Sequence, residues 1–471
     1  MRIVTAVALL ALAVGGRARA APLVQARTLT SGIVVADEIR AGAVHEYRIA
    51  ARAGDAIDVR VTQLGIDVML LVLDPNGVVL QDVDSPTGAE GDEKATALAD
   101  GTGTYLVRLR PFEAAAAGKY EVRMLVRAAT PRDRDRAEVE TALRTTARLL
   151  ASGVEGDAAQ ASRDLTRALP KALTLDEPAL ARSVAARLMD LDAAAVFSAL
   201  DVPVLPGPVP VYYSRGREDR ATALREALVK AIDHFDAALK IRPRVSLAVL
   251  ADSDWERVTG APYGMPFSHP GRAPLIVMPA EHVMFAGFLA KMAKEDGPSG
   301  VVGRAAGDTG LPLDAVTRRL GDSILYHEFG HVLVAQYAIV SPNRWLGEFL
   351  GNYVMQAFLA ESGTDPRLLT FFRVFKDRQR SQPVSHRSLD DLERLYAGVG
   401  MDNYGWYQAQ TDARAAEVYR THGVAFLAKV KAAFPAGTPS TLPVAEVLSR
   451  LDAIAPGFTA WARALEEPAR P

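Results

Sequence analysis

The chain has 471 residues, a formal net charge of −2 at pH 7, and 49% hydrophobic against 23% charged residues. This length predicts about two to four domains, and the nearly balanced charge gives no electrostatic reason to expect a nucleic acid or an anionic membrane as a partner. The sequence contains no cysteine, which excludes disulfides, a thiol nucleophile and cysteine-ligated zinc.

Residues 1–20 have the features of a secretory signal peptide. Arg2 supplies the positive start, the run from Ile3 to Val14 is apolar, and Ala18-Arg19-Ala20 is a small-residue cleavage site. The alternative is a short membrane anchor, but the apolar run is shorter than the ~20 residues that a spanning helix needs. We therefore expect an exported protein, periplasmic or extracellular, with no transmembrane segment in the mature chain.

Residues 24–128 have the pattern of an all-β module. Short segments alternate between apolar and polar residues and are separated by glycine-containing turns, which is typical of a β-sandwich. The predicted strands are 44–49, 56–61, 104–109 and 120–124, together with 68–73, which is a continuous apolar run and is predicted as a buried strand.

Landmark segments in this module read AGD (53–55), GIDVMLLVLDPNG (65–77), GTYLVRL (103–109) and GKYEVRM (118–124). On these segments the module resembles the bacterial pre-peptidase C-terminal domain, a small jelly-roll-like domain attached to secreted peptidases. The resemblance implies a role in binding substrate, a surface or the enzyme itself. Three aspartates in its turns are either Ca²⁺ ligands or solvated turn residues: Asp55, Asp67 and Asp74.

Residues 131–204 are predicted to form a helical spacer. Pro131 begins a helix that continues to Gly153, and alanine-rich amphipathic segments follow at 158–173 and 177–200. No fixed repeat is apparent, so a spacer is favoured over a repeat-type binding surface. Closely spaced prolines then mark a stiff linker and a domain boundary at about residue 205: Pro203, Pro206, Pro208 and Pro210.

Residues 205–465 begin with mixed α and β structure. Strands are predicted at 209–213, 245–250 and 275–279, and a helix is predicted at 220–239. His282, which follows the last of these strands, either borders a pocket or belongs to the core or the surface.

The segment Tyr326-His327-Glu328-Phe329-Gly330-His331 contains the pattern H-E-x-x-H. It lies in a stretch with helical periodicity from Leu313 to about Tyr337. Because residues on a helix advance by about 100° each, His327 and His331 lie one turn apart on one face and can bind one Zn²⁺. Glu328 is beside the first ligand, where it can accept a proton from a water held at the metal. The alternative is an amphipathic core helix with internally bonded histidines.

A third ligand is offered by the segment Trp345-Leu346-Gly347-Glu348-Phe349-Leu350-Gly351-Asn352-Tyr353, in which Glu348 lies 17 residues after His331. Ser341-Pro342-Asn343 provides the break between the two helices. At these positions the sequence resembles the gluzincin metallopeptidases, the thermolysin and aminopeptidase N type, whose second helix often reads W-L-x-E-x-x-x-x-Y. The resemblance implies an α+β zincin-like domain, with Zn²⁺ bound by His327, His331 and Glu348 and with Glu328 as general base.

Further roles follow from the same resemblance. An edge strand of the sheet pairs with the peptide substrate in these families, and residues 275–278 are the candidate here, with an ordinary core strand as the alternative. In thermolysin-like enzymes an Asp at the position of Asn352 orients the first histidine ligand. Asn352 is a neutral acceptor that can still hold the outer N–H of His327, and Asp322 either supplies the missing carboxylate or is solvated.

A peptidase of this type also needs a donor to the developing oxyanion, usually Tyr or His. The candidates are Tyr404, Tyr407 and His422. The dipeptide Tyr407-Gln408 best matches a tyrosine-plus-glutamine pattern of related families, so Tyr407 is the preferred donor, with core packing as the alternative.

The sequence therefore predicts a multidomain protein with an N-terminal β-sandwich, a helical spacer and a zincin-like domain. Its expected function is that of a secreted zinc metallopeptidase acting on peptides or proteins. The alternatives are a zinc-binding protein without catalysis, a hydrolase of a small ester or modified amino acid, and a surface adhesion protein built around the β-sandwich.

Overall fold

The computed structural model describes residues 24–467 except 86–87, 155, 298–299 and 397, so the predicted signal peptide at 1–20 lies outside the described residues. The chain divides into two compact units, one ending at Glu177 and the other beginning at Pro178. The division falls inside the segment 131–204, for which a single helical spacer is predicted.

The first unit contains two β-sheets that share one hydrophobic core. One sheet has the strand order β1-β3-β8-β5-β6 and the other β2-β9-β4-β7, and pairing is antiparallel except between β1 and β3. Each predicted strand lies inside an observed one, which confirms an N-terminal region built of β-sheets. The bounds are β1 Val24–Thr28, β2 Val34–Ile39, β3 Val44–Ala51, β4 Asp55–Leu64, β5 Val68–Leu73, β6 Val79–Val83, β7 Glu90–Leu98, β8 Gly103–Pro111 and β9 Gly118–Ala128.

Two helices complete this unit, α1 (Pro131–Ser152) and α2 (Asp157–Thr174). Helix α1 begins with a capping box, in which Thr130 and Asp133 each accept a hydrogen bond from the backbone N–H of the other. The carboxylate of Asp133 also accepts hydrogen bonds from Arg127 at the end of β9, at 2.6 and 3.0 Å. This joins the start of the helix to the sheet.

We expect Asp133→Asn to destabilise the first unit by about 1 kcal/mol at pH 7, because it removes charge-assisted bonds to Arg127. Those bonds lower the pKa of Asp133, so their contribution is complete above the unfolded value of about 3.9 and is lost as pH falls through the folded value. Urea unfolding at pH 7 and pH 3 measures this, with the 43% exposed Asp135 replaced by Asn as control. An equal loss at both pH values would contradict it.

The second unit is mostly helical, with one small sheet. It begins with α3 (Pro178–Met189) and α4 (Ala193–Ala199). The sheet consists of β10 Val204–Leu205, β11 Val211–Tyr213, β12 Ser246–Leu250, β13 Phe267–His269 and β14 Leu275–Pro279. Its strand order is β10-β11-β12-β14-β13, with β11, β12 and β14 parallel and the outer two strands antiparallel to their neighbours.

The order of this sheet corrects one prediction. Residues 275–278 belong to β14, which lies between β12 and β13 and is buried along its whole length. The edge strand next to β14 is β13, with only three residues. A continuous apolar run such as 275–278 is typical of an interior strand, whereas β13 follows a glycine- and proline-rich loop and has no periodicity from which to predict it.

The remaining helices of the second unit follow in chain order. They are α5 Glu218–Leu239, α6 Asp252–Val258, α7 Val283–Asp296, α8 Val301–Asp308, α9 Leu313–Gln336, α10 Arg344–Glu361, α11 Pro366–Arg380, α12 Leu389–Leu395, α13 Met401–His422, α14 Phe426–Ala433, α15 Val444–Asp452 and α16 Phe458–Glu466. Helix α9 coincides with the predicted helix from Leu313. In the described part of the chain, no helix combines the length and apolar character needed to cross a bilayer.

Helices α9 and α10 pack closely, and Gly330 and Gly351 lie where they meet. A Cβ built on Gly330 would lie 2.8 Å from the Cα of Gly351, and one built on Gly351 would lie 2.9 Å from the ring of His327. Because neither position has room for a side chain, the two backbones approach more closely than any other residue would permit. Large apolar side chains of the two helices belong to one hydrophobic core, among them Phe329, Leu333, Phe349 and Tyr353.

Candidate metal centre

Among the described residues, one group of side chains could hold a metal ion. It consists of His327, Glu328 and His331, whose ligand atoms lie within 4.8 Å of one another. The Nε2 atoms of His327 and His331 are 3.1 Å apart, and the two rings are nearly perpendicular. His327 and Glu328 are buried. The helical spacing of the motif therefore brings both imidazoles to one point, as the sequence predicts.

Glu348, on α10, adjoins this group through His327. Its Oε2 lies 3.3 Å from the Nε2 of His327. In tetrahedral zinc sites with ligand bonds of about 2.0–2.1 Å, neighbouring ligand atoms are about 3.3 Å apart. The separations of 3.1 and 3.3 Å fit that geometry, and two imidazoles with a carboxylate are a donor set that zinc accepts.

The protonation of these groups follows from their contacts. Burial lowers the pKa of His327, but the hydrogen bond to Glu348 and nearby negative charge outweigh burial, so the pKa lies above the ordinary value. Burial and the charge of His327 lower the pKa of His331. Burial opposes ionisation of Glu348, yet the hydrogen bond from His327 holds its pKa well below the usual range. A cation that binds here must therefore displace the proton between His327 and Glu348.

Asn352 lies one turn after Glu348 and reaches the outer nitrogen of His327. The Nδ1–H of His327 donates to the Oδ1 of Asn352 at 3.0 Å, and Asn352 is almost fully buried. Because this bond takes Nδ1, the ring presents Nε2 to the site. The structure thus brings Asn352 into the contact that the sequence predicts for it.

Asp322 pairs with residues other than His327 and His331. It forms hydrogen bonds to Arg220 at 3.0 Å and to the Nε2 of His282 at 2.7 Å. His282 is buried in this cluster, and its ring rests on Gly321, where a Cβ would leave it no space. Asp322 is therefore a partly exposed partner of Arg220 and His282 rather than a carboxylate partner of His327, and His282 belongs to the core.

Glu328 has a partner that sequence reasoning missed. The hydroxyl of Ser268 donates to the Oε2 of Glu328 at 2.8 Å, and both residues are buried. Ser268 is the middle residue of the edge strand β13, so an edge strand of the sheet lies next to the carboxylate. No signal in the sequence identifies Ser268, because a three-residue strand has no measurable alternation.

Three side chains from elsewhere in the second unit surround the carboxylate of Glu348. The hydroxyl of Tyr396 donates to Oε1 at 2.6 Å, and the amide of Gln408 donates to Oε2 at 2.5 Å. The hydroxyl of Tyr404 lies 3.4 Å from the same Oε2 and accepts from Gln408 at 2.9 Å. Burial and the negative charge of Glu348 raise the pKa of Tyr404 well above its usual value, so Tyr404 remains a hydrogen-bond donor at neutral pH.

The structure places Tyr407 elsewhere, which corrects its assignment as the oxyanion donor. Its hydroxyl donates to the backbone carbonyl of Ser388 at 2.8 Å, and its ring packs against Trp406. On α13, Gln408 faces the site, and Tyr407 is rotated from it by about 100°, whereas Tyr404 is within about 40° of Gln408. His422 ends the same helix, about 27 Å along the axis from Tyr404 at 1.5 Å per residue.

Comparisons with known proteins give no identity for this chain. No family model matches it, and no curated protein matches it. PliG of Aeromonas hydrophila, a periplasmic lysozyme inhibitor of g-type lysozyme, is 13% identical over 23% of this chain and 100% of its own, with a TM-score of 0.19. The pre-peptidase C-terminal domain of collagenase from Bacillus anthracis is 15% identical over 21% and 94%, with a TM-score of 0.19. PliG of Salmonella Typhimurium is 14% identical over 22% and 99%, with a TM-score of 0.17. Likenesses at this level assign no function.

Proposed function

We propose that this chain is an exported zinc metallopeptidase with a zincin-like second unit and an N-terminal module of the pre-peptidase C-terminal type. The observation that carries the proposal is the cluster of His327, Glu328 and His331, whose ligand atoms lie within 4.8 Å of one another, with the carboxylate of Glu348 3.3 Å from the Nε2 of His327. The donor set, the separations of the ligand atoms and the outer hydrogen bond from His327 to Asn352 all suit zinc.

Each residue of the site has a separate role in the proposed hydrolysis. A zinc ion held by His327, His331 and Glu348 would supply a Lewis acid that acidifies water and polarises a carbonyl group. Glu328 accepts the proton of the attacking water and returns it to the departing amine. Ser268 holds the Oε2 of Glu328 and fixes the direction in which its carboxylate faces.

The substrate proposed for this site is an extended peptide. Strand β13 has one edge without a partner strand in the observed sheet, and Ser268 of that strand touches Glu328. A peptide added to this edge would form backbone hydrogen bonds to β13 and lie beside the general base. In this proposal β13, rather than residues 275–278, is the edge strand that pairs with the substrate.

The decisive experiment is metal analysis of the mature chain combined with cleavage of a peptide library. We expect about one zinc per chain, cleavage of peptides, loss of cleavage with a chelator, and recovery when zinc is restored. Stoichiometric zinc without cleavage of any peptide would favour the non-catalytic zinc-binding protein, and absence of bound zinc would refute the proposal.

Tyr404 is the proposed donor to the developing oxyanion. Its hydroxyl is at the site, is protonated, and is already oriented by Gln408. We expect Tyr404→Phe to lower kcat by about 10²–10³-fold, the usual cost of losing one such donor, with little change in zinc affinity. Tyr407→Phe is the matched control, and it should leave kcat near the native value. Equal kcat values in the two variants would contradict the assignment.

A further inference from the structure

An unbroken hydrogen-bonded chain joins two of the proposed metal ligands behind the site. His327 donates from Nδ1 to the Oδ1 of Asn352 at 3.0 Å, and Asn352 donates from Nδ2 to the Oε1 of Gln408 at 3.0 Å. Gln408 then donates from Nε2 to the Oε2 of Glu348 at 2.5 Å. The chain therefore begins at one ligand, His327, crosses two side-chain amides, and ends at another, Glu348.

The direction of each amide is fixed by its surroundings. The Nδ2 of Asn352 also donates to the hydroxyl oxygen of Thr411 at 2.9 Å, and that hydroxyl donates to the backbone carbonyl of Tyr407 at 3.0 Å. The backbone carbonyl of Gln408 also accepts from Nδ2, at 3.4 Å. All three partners of Nδ2 are thus acceptors, while Oδ1 faces the N–H of His327. If the amide of Asn352 were reversed, its NH₂ group would face the N–H of His327, and its oxygen would face the acceptor oxygen of Gln408.

A carboxylate at position 352 cannot take part in this chain. With aspartate there, the oxygen replacing Nδ2 would face the acceptor Oε1 of Gln408. If Gln408 reversed its amide to donate to the new carboxylate, its Oε1 would instead face the carboxylate of Glu348. Since one amide has its N–H₂ on one side only, either orientation leaves a buried pair of oxygens in opposition.

We propose that Asn352 and Gln408 form one positioning device, the amide bridge, which holds His327 and Glu348 in a fixed relation, and that this bridge requires asparagine rather than aspartate at position 352. The inference rests on the proposed metal centre. It gives a physical reason for the departure from the aspartate of thermolysin-like enzymes. It also gives Gln408 a role in positioning the ligands.

Zinc affinity of the full chain, measured by competition with a chromophoric chelator, tests the bridge. We expect Asn352→Asp to lower the affinity by about 10–100-fold, the usual effect of disturbing an outer partner of a ligand. In a Gln408→Met background the same substitution should cause no loss, because methionine has no side-chain oxygen that opposes the new carboxylate. The backbone carbonyl of residue 408, 3.4 Å from Nδ2, is present in both backgrounds. A carboxylate then strengthens the histidine ligand. If Asn352 and Gln408 had a merely structural role, the effect of Asn352→Asp on zinc affinity would not depend on residue 408 in this way.

Gln410→Met is the matched control, since Gln410 lies on the same helix and accepts a hydrogen bond from Arg380 rather than contacting a ligand. Its zinc affinity should equal that of the native chain, and thermal melts with excess chelator should show that every variant folds. If Asn352→Asp fails to fold, Gln408→Met alone provides the test, with an expected loss of about tenfold or more in zinc affinity.

The outcomes separate the two proposals. A native chain that binds no zinc would overturn the proposed function, and with it the role of the bridge. A native chain that binds zinc, with Asn352→Asp raising the affinity or lowering it equally in both backgrounds, would overturn the amide bridge alone. A loss in the native background that disappears with Gln408→Met would support it.

Discussion

Replacing Glu328 with glutamine is expected to remove nearly all peptide hydrolysis while zinc remains bound. Glutamine has the shape of glutamate and can still accept the hydrogen bond from Ser268, but it cannot accept the proton of the attacking water. General acid–base groups contribute about 10²–10⁴-fold to rate, so kcat should fall by that factor. Steady-state kinetics and the zinc content of the purified variant measure the two effects.

The zinc content also decides between two arrangements of the site. Glu328 belongs to the tight group with His327 and His331, while Glu348 adjoins that group through His327. Loss of zinc in Glu328→Gln would mean that Glu328 is a ligand rather than the base. Glu417→Gln serves as control, because this glutamate is 58% exposed and pairs with Arg414. Substantial hydrolysis by Glu328→Gln would exclude Glu328 as the base.

Sequence reasoning predicted the parts of the site that a single helix encodes. His327, Glu328 and His331 share one face because the helical repeat puts them there, and α9 covers the predicted stretch from Leu313. Glu348 could be predicted because α10 carries a recognisable pattern around it. The alternating segments of the N-terminal module could be predicted as β-strands for the same reason, because the two-residue repeat of a strand appears in the sequence as alternating apolar and polar residues.

The remaining parts of the site depend on tertiary contacts that have no local pattern. Ser268 reaches Glu328 from a strand of three residues, and Tyr396 reaches Glu348 from the end of the short helix α12. Neither element is long enough to show a period. The sequence favours Tyr407 over Tyr404 because the dipeptide Tyr407-Gln408 resembles a family pattern. The side of α13 that faces α10 depends on how these helices pack, and packing cannot be deduced from a dipeptide.

The second large effect is expected at the contact between α9 and α10, where Gly330→Ala should both destabilise the second unit and weaken zinc binding. The new Cβ would lie 2.8 Å from the Cα and 3.0 Å from the carbonyl oxygen of Gly351, closer than Cβ atoms approach backbone. The helices must therefore separate, at a cost of about 1–3 kcal/mol for overpacking. Because the histidines are on α9 and Glu348 is on α10, the same separation pulls the ligands apart.

Gly347→Ala on α10 is the control, because it should stabilise the second unit where Gly330→Ala destabilises it. The nearest atom to its Cβ would be in Ser341 at 3.9 Å, so no clash opposes the gain of about 0.5–1 kcal/mol that alanine brings to a helix interior. Urea unfolding with excess chelator followed by zinc titration measures both effects. We expect Gly347→Ala to unfold at a higher urea concentration than the native chain, with unchanged zinc affinity. We expect Gly330→Ala to unfold at a lower urea concentration and to bind zinc more weakly. If Gly330→Ala lost stability but kept native zinc affinity, Glu348 could not be a ligand whose position depends on this helix contact, and zinc binding would have to rest on α9 alone.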